Sequence, residues 1–280
     1  MFKRIYVEIT NVCNLHCSFC PGTTRAPHVM SAADFRQLAQ KLQGHTHYLY
    51  LHVLGEPLSH PQLAEILDIA HEYGFRICLT TNGTLLPEKS DILLAAPALH
   101  KVSISLHSFE ANSGIDLPGY LDGVWDFCTE AAQRGTLCAL RLWNEGGLEQ
   151  LNDNILYYLS QKIQNDIKNI LPDAAGNRRL LPRIFLERAE KFDWPSLSAP
   201  LCNTQFCHAL RQQLAVLCDG TVVPCCLDGE GNVPLGNLFE DELSHILSAP
   251  RSRAMRSGFS KRQPSEELCR RCGYATRFNK

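Results

Sequence analysis

Three cysteines near the start of the chain, Cys13, Cys17 and Cys20, are separated by three and then two residues, in the run Cys13-Asn-Leu-His-Cys17-Ser-Phe-Cys20. Three thiolates can hold three irons of a cubic 4Fe–4S cluster and leave the fourth iron without a protein ligand. Electron-transfer clusters are closed by a fourth cysteine, so an open iron is a place for an exogenous ligand. The competing chemistry is zinc, which in a structural site takes four ligands. Neither a fourth cysteine nor a spaced pair of histidines lies near this loop, and His16 points elsewhere if its neighbours ligate. A second set, Cys202, Cys207, Cys218, Cys225, Cys226, Cys269 and Cys272, lies in the last third of the chain.

The bulk properties narrow the setting. The chain has 280 residues, 45% of them hydrophobic and 20% charged, with a net charge of −2. That balance argues against a protein that coats nucleic acid. Thirteen cysteines could form a secreted disulfide framework, but Met1-Phe-Lys-Arg-Ile runs straight into a strand pattern and not into a signal peptide. No apolar run approaches the ~18 residues of a membrane span. A reducing cytoplasm, with cysteines spent on metal clusters, fits this composition.

These thiols need elements to carry them. Strand-like segments at 3–10, 47–54, 75–81, 101–106, 137–143 and 183–186 alternate with helical patterns. Ser31-Ala-Ala-Asp34 begins a helix striped by Phe35, Leu38, Ala39 and Leu42. Pro61 marks the first position of the next helix and Gly74 lies just past its end. Further helices are expected at 91–96, through Leu121, Val124, Trp125 and Cys128, and at 148–164. Alternation of this kind predicts a parallel sheet with right-handed crossovers. The proline-rich stretch 164–200 reads in part as a linker. Apolar runs at 214–217 and 221–223 around Asp219-Gly220 predict a hairpin. The expected division is a barrel over 1–190 and a small second domain over 200–280.

The cysteine spacing, with Phe19 just before the third cysteine, closely resembles the radical S-adenosylmethionine (SAM) superfamily. The resemblance implies a partial (β/α)6 barrel with chemistry at the C-terminal strand ends. It also implies that SAM binds the open iron and is reductively cleaved to methionine and a 5′-deoxyadenosyl radical, which abstracts hydrogen from a substrate. Leu54-Gly55-Glu56-Pro57 resembles the family's Gly-Gly-Glu-Pro motif, with Leu54 in place of the first glycine, and implies contacts from Gly55 and Glu56 to the SAM amino group. Thr80-Thr81-Asn82-Gly83 resembles the Thr-Asn-Gly turn near SAM. Ser103 and Ser105 stand where the family contacts the ribose and carboxylate, and Arg141 is a candidate carboxylate clamp. Glu8, His52, His107 and Asn144 lie near strand ends and are candidates for substrate contact, or are polar residues that orient the loops.

Cys207, Gly220 and Cys225, spaced by twelve and four residues, together with Cys269-Arg-Arg-Cys272, resemble the SPASM and twitch extensions of this superfamily. No cysteine follows Cys272, so the pattern is that of the shorter twitch form. The resemblance implies an auxiliary 4Fe–4S cluster on Cys207, Cys225, Cys269 and Cys272, with Cys226 and Cys202 as replacement ligands. A structural zinc on the same thiolates is the competing reading. Cys78, Cys128 and Cys138 read as small buried residues. The cofactors implied are therefore two 4Fe–4S clusters and SAM, with a reductant such as flavodoxin or ferredoxin. The substrate expected is a small molecule such as a sugar, nucleoside or nucleotide, because the first strand begins too early for a leader-binding domain ahead of it. Dehydrogenation, epimerisation and lyase chemistry all start from the same hydrogen abstraction. A peptide or protein maturase is the alternative enzyme, and a zinc- or cluster-bearing binding module the alternative outside catalysis.

Overall fold

A computed structural model describes residues 1–110, 112, 116–202 and 206–278. In chain order it begins β1 (Arg4–Val7), α1 (Ala32–Leu42), β2 (Tyr48–Tyr50), α2 (Leu63–Glu72), β3 (Arg76–Thr81) and α3 (Leu86–Ala95). There follow β4 (Leu99–Ser105), α4 (Leu117–Gln133), β5 (Leu137–Glu145), α5 (Asn152–Ile163), β6 (Arg178–Leu181) and β7 (Ile184–Glu190). The last third holds β8 (Gln213–Val216), β9 (Thr221–Val223), β10 (Gly236–Asn237), α6 (Leu243–Ser248), α7 (Pro250–Ser260) and α8 (Glu267–Arg270).

All the strands join one 10-stranded sheet in the order β10-β9-β8-β1-β2-β3-β4-β5-β7-β6. Neighbours from β1 to β5, and β5 with β7, are parallel. The outer strands do not bond to each other, so this is an open, partial barrel. Alternation along each strand sorts its side chains onto two faces. Ile5, Val7, Leu49, Leu140 and Leu142 belong to the main apolar core. Their neighbours Arg4, Tyr6, Tyr50, Arg141 and Trp143 line the interior. Ser31 caps α1 as its sequence predicts: Asp34 N–H donates to Ser31 Oγ at 3.1 Å, a bond of a kind worth about 1 kcal/mol.

The elements differ from expectation in several places. The stretch 164–200 is more ordered than a linker, because β6 pairs antiparallel with β7, Arg179 opposite Phe185. Asp173 accepts from the backbone of Ala175 and Asn177 and sets the turn before it. A four-residue strand carrying two arginines has no apolar alternation to reveal it. Helix α2 starts at Leu63, so Pro61 precedes it; α3 begins earlier than expected and α5 later. The predicted hairpin forms as β8 and β9, but it is not separate from the barrel. Strand β8 lies parallel to β1, Ile5 beside Leu214 and Val7 beside Val216, so the C-terminal segment extends the barrel sheet.

Candidate active site

The cysteine loop leaves β1 at its C-terminal end and is folded back by an Asn11 clasp. Asn11 Nδ2 donates to Ala26 O at 2.9 Å, and His28 N donates to Asn11 Oδ1 at 2.7 Å. Cys20 N donates to Cys17 O at 3.0 Å, closing the turn that carries the second and third thiols. Asn112 Nδ2 reaches Cys17 Sγ at 3.3 Å. Burial raises the Cys13 and Cys17 thiols, and negative charge on the neighbouring cysteines raises them further. Two partly buried thiols, Cys13 and Cys17, beside the exposed Cys20 are a donor set suited to iron, which binds them as thiolates.

Glu8 does not face the interior cavity. Its carboxylate is 0% exposed and is consumed by structure. Arg25 Nη2 donates to both of its oxygens at 2.7 and 2.8 Å. Leu54 N donates to Oε1 and Cys218 N to Oε2, each at 3.2 Å. One carboxylate thus joins the cysteine loop, the turn after β2 and the turn after β8. From the C-terminal segment, Glu230 accepts from Thr24 Oγ1 at 2.6 Å and clasps the same loop.

Gly55 has φ +73°, and a Cβ there would stand 2.3 Å from Thr10 O. The next residue donates from Glu56 N to Val12 O at 2.9 Å, so this turn lies directly on the backbone that leads to Cys13. Glu56 is buried, which pushes its carboxyl above the ordinary range. It accepts from Leu58 N at 2.9 Å and from Asn82 N at 2.8 Å. Asn82 in turn donates from Nδ2 to Asn14 Oδ1 at 2.9 Å. The three motifs therefore brace one another. Leu54, which departs from the family's glycine, is explained by packing: it joins an apolar cluster with Val53, Leu217 and Val223 and lies against Gly229, where a Cβ would be 2.7 Å from Leu54 Cδ1.

The interior side chains enclose a cavity of about 710 Å³. Phe19, Ser105 and His107 stand on its wall with Tyr6, Tyr50 and Trp143, and Cys226, Tyr274 and Phe278 enter from the C-terminal segment. Ser103 is buried and is not on this wall. Asn144 is on the wall, but its amide is exchanged with Asn152, Nδ2 to Oδ1 at 3.0 Å. A separate concavity of about 740 Å³ on the outer side of α5 contains none of the cysteines.

Arg141 Nε donates to Glu187 Oε2 at 3.0 Å and Nη1 to Thr80 Oγ1 at 3.2 Å, while the guanidinium stacks 4.3 Å from the Trp143 ring centre. Burial pushes the Glu187 carboxyl up, but Arg141 and Lys101 outweigh it and hold the group below its ordinary value. His107 lies 5.0 Å from the Phe19 ring, with Nδ1 at 3.1 Å from Arg141 O. His52 Nε2 is 3.3 Å from Thr80 Oγ1, whereas its Nδ1 is buried with no partner among the described residues. Burial, and then the Arg141 charge, pull the His52 pKa to about 3.

His52 is therefore neutral in the fold across the working range and protonates near its ordinary pKa of 6.5 once unfolded. The unfolded chain binds the extra proton between pH 3 and 6.5, so stability should fall as pH drops through that window and be fully restored above it. The slope from this residue should approach about 1 kcal/mol per pH unit. Denaturant unfolding of wild type and His52→Gln at pH 7 and pH 5 checks this: the variant should lose less stability on acidification.

The second thiol set also converges. Cys225 is raised by burial and by the neighbouring charges of Cys226, Cys207 and Cys269, and Cys269 by burial, Cys207 and Cys272. Cys202 N donates to Arg270 O at 2.7 Å, beside the same group. Among the described residues no three His, Cys, Asp or Glu side chains stand at the separation of ligands on a single ion; the thiolates of a four-iron cube bind different corners and stand farther apart. Cys78, Cys128 and Cys138 are buried away from both sets.

Residues 7–161 match the family model described as the radical SAM superfamily. The chain belongs to that superfamily. Residues 207–273 match the SPASM model, an iron–sulfur cluster-binding domain. This radical SAM enzyme accordingly uses SAM and iron–sulfur clusters as cofactors. A probable GTP 3′,8-cyclase of Methanothermobacter thermautotrophicus is 27% identical over 81% of this chain and 85% of its own length. An AdoMet-dependent heme synthase of Methanosarcina barkeri is 28% identical over 40% of this chain and 33% of its own. BtrN in complex with AdoMet and 2-DOIA shares the fold, with TM-score 0.64 at 17% identity, over 98% of this chain and 93% of its own. Streptococcus suis SuiB bound to its precursor peptide SuiA does so with TM-score 0.63 at 18% identity, over 91% and 67%. No helix among the described residues is long and apolar enough to cross a membrane.

What the sequence reading of this radical SAM enzyme missed is the aromatic wall: Tyr6, Tyr50, Trp143, Trp194 and Tyr274. The signal was present for three of them, since Tyr6, Tyr50 and Trp143 alternate with core residues along β1, β2 and β5. Trp194 and Tyr274 come from irregular segments, where no periodicity assigns a face.

Proposed function

We propose that the enzyme cleaves SAM at a cluster held by Cys13, Cys17 and Cys20 and applies the resulting radical to a small molecule in the interior cavity. The observation that carries this reading is the cavity itself, aromatic-walled and reaching from Phe19 in the cysteine loop to Cys226 and Tyr274 in the C-terminal segment. Its volume suits SAM together with a compact substrate of the sugar, nucleoside or nucleotide class. The similarity to a probable GTP 3′,8-cyclase supports a nucleotide within that class.

The cofactors supply an electron and a hydrogen-abstracting radical, and the chain supplies position. Phe19, Ser105 and Arg141 face the space where SAM would lie; Gly55 brings backbone close to the cysteine loop; Glu56 and Asn82 act by bracing the turns. Neutral His52 offers a hydrogen bond at its unpartnered Nδ1 without charge, burial lowers the His107 pKa while Arg141 O holds its Nδ1, and Asn144 sets the cavity rim. Cys207, Cys225, Cys269 and Cys272 would hold the auxiliary 4Fe–4S cluster, with Cys226 in reserve. A cytoplasmic flavodoxin or ferredoxin would deliver the electron.

The test is turnover by anaerobic, reconstituted protein given SAM and dithionite, with 5′-deoxyadenosine as readout. Sugars, nucleosides and nucleotides are then compared with unstructured peptides. A small molecule that accelerates 5′-deoxyadenosine formation and is itself altered meets the expectation. Acceleration by peptides alone would replace this reading with that of a peptide maturase.

A further inference from the structure

The end of the cavity away from Phe19 has an electrostatic character that SAM binding does not account for. Arg4, at the start of β1, lines it together with His208 and Gln213. Arg4 and Gln213 are direct partners across the β1–β8 pairing. The Arg4 guanidinium lies over the Tyr50 ring, 5.8 Å from its centre. Among the described residues Arg4 forms no ion pair, whereas Arg141 is committed to Glu187. Its partners are the Tyr6 hydroxyl and the Tyr50 ring, with the Cys226 thiol nearby, and a half-buried cation without a carboxylate is costly. His208 adds a buried Nδ1 with no partner among the described residues, and unmet buried polar atoms are few in native proteins. The described wall of the cavity carries Arg4, Arg141 and Lys191 and no Asp or Glu.

We propose that Arg4, His208 and Gln213 form a subsite for an anionic oxyacid group, phosphate or carboxylate, on the substrate. This rests on reading the cavity as the substrate site. A guanidinium, an imidazole N–H and an amide N–H converging from two adjacent segments match the acceptor oxygens of such a group. The ring of Tyr50 fixes the guanidinium from behind. The subsite also sets a length. Four strand positions separate Arg4 from Glu8, where the cysteine loop departs, and at ~3.3 Å per position this is about 13 Å. The substrate carbon that loses hydrogen should therefore lie on the order of 10 Å from its anionic group, a span that fits the terminal phosphate of a nucleoside di- or triphosphate better than a nucleoside monophosphate or a simple sugar acid.

The experiment is equilibrium binding without turnover. Anaerobically reconstituted enzyme with SAM bound is titrated, by calorimetry and by quenching of Trp143 and Trp194 fluorescence, with guanosine 5′-triphosphate, guanosine, succinate and succinamide. The expected result is that at least one anion binds more tightly than its neutral counterpart, the phosphate pair and the carboxylate pair identifying which oxyacid the site prefers. Arg4→Gln should remove that advantage, a loss of about tenfold or more, with Arg4→Lys retaining part of it. Iron content and visible absorption should match wild type in both variants. No preference for either anion, or equal preference in Arg4→Gln, overturns the proposal. So does loss of the second set of irons in Arg4→Gln, which would assign Arg4 to offsetting the auxiliary cluster. Because binding is read without SAM cleavage, failure of the radical reading would be seen separately, as absent 5′-deoxyadenosine.

Discussion

Gly55→Ala should abolish reductive SAM cleavage. Two effects act on the same atom. The backbone at Gly55 is left-handed, φ +73°, which an alanine adopts only under strain. The added Cβ would also stand 2.3 Å from Thr10 O and 3.0 Å from two backbone atoms of Asn11. Those are main-chain atoms, so relief requires the cysteine loop to move as a body, breaking the bond from Glu56 N to Val12 O. Strain of this kind costs about 1–3 kcal/mol, and forced overpacking adds about 1–3 kcal/mol. The energy falls on the segment that presents Cys13, so the three-cysteine site should lose iron while the C-terminal set keeps its own. Gly74→Ala is the control. Its φ is +76°, but a Cβ there meets nothing within 4 Å, so it should cost only the backbone strain and leave cleavage intact. Iron content, thermal unfolding and 5′-deoxyadenosine formation on both variants distinguish the two effects.

Glu8→Gln should produce the largest loss of stability of any single conservative change in the interior. The carboxylate is fully buried and balances Arg25, whose side chain is itself 17% exposed. Removing the negative charge leaves a largely buried guanidinium without its ion, a situation that costs about 3–5 kcal/mol. The exposed pair Arg134–Glu130, with both side chains about half accessible, should by contrast lose less than about 1 kcal/mol on truncation. Urea unfolding reads both. The double variant Glu8→Gln with Arg25→Gln should be less destabilised than the sum of the singles, because the orphaned charge is gone. Additivity would mean that the two residues act independently and that the three-way junction at Glu8 is misassigned.

These two residues also mark where sequence was legible and where it was not. The parallel order of β1 to β5 and β7 follows from strand and helix periods, and strand ends place Cys13, Gly55, Asn82 and Ser105 along one rim. The joint role of Glu8 was hidden because its partners are 17, 46 and 210 residues away, and no local pattern encodes such distances. Leu54 departs from the motif because it packs on Gly229, 175 residues along the chain, a contact that no local pattern encodes. Ser103 and Ser105 share a strand face by alternation, yet only Ser105 reaches the cavity wall, since barrel depth is set by tertiary packing. Strand β6 and the pairing of β8 with β1 depend on edges that become available only after the barrel forms. The C-terminal thiols, in contrast, were legible in position but not in partner, because six cysteines, Cys202, Cys207, Cys225, Cys226, Cys269 and Cys272, converge on ground that four would fill.

The central claim is that Cys13, Cys17 and Cys20 hold the cluster at which SAM is cleaved. Its most direct test compares anaerobically reconstituted wild type with the variant carrying Cys13→Ala, Cys17→Ala and Cys20→Ala. Iron, sulfide and zinc are counted, and each protein is incubated with SAM and dithionite. Wild type should hold about eight irons and form 5′-deoxyadenosine, and the variant about four irons and none. Zinc in place of the remaining four would turn the C-terminal site into a structural one without touching the claim. Formation of 5′-deoxyadenosine by the triple variant would contradict it.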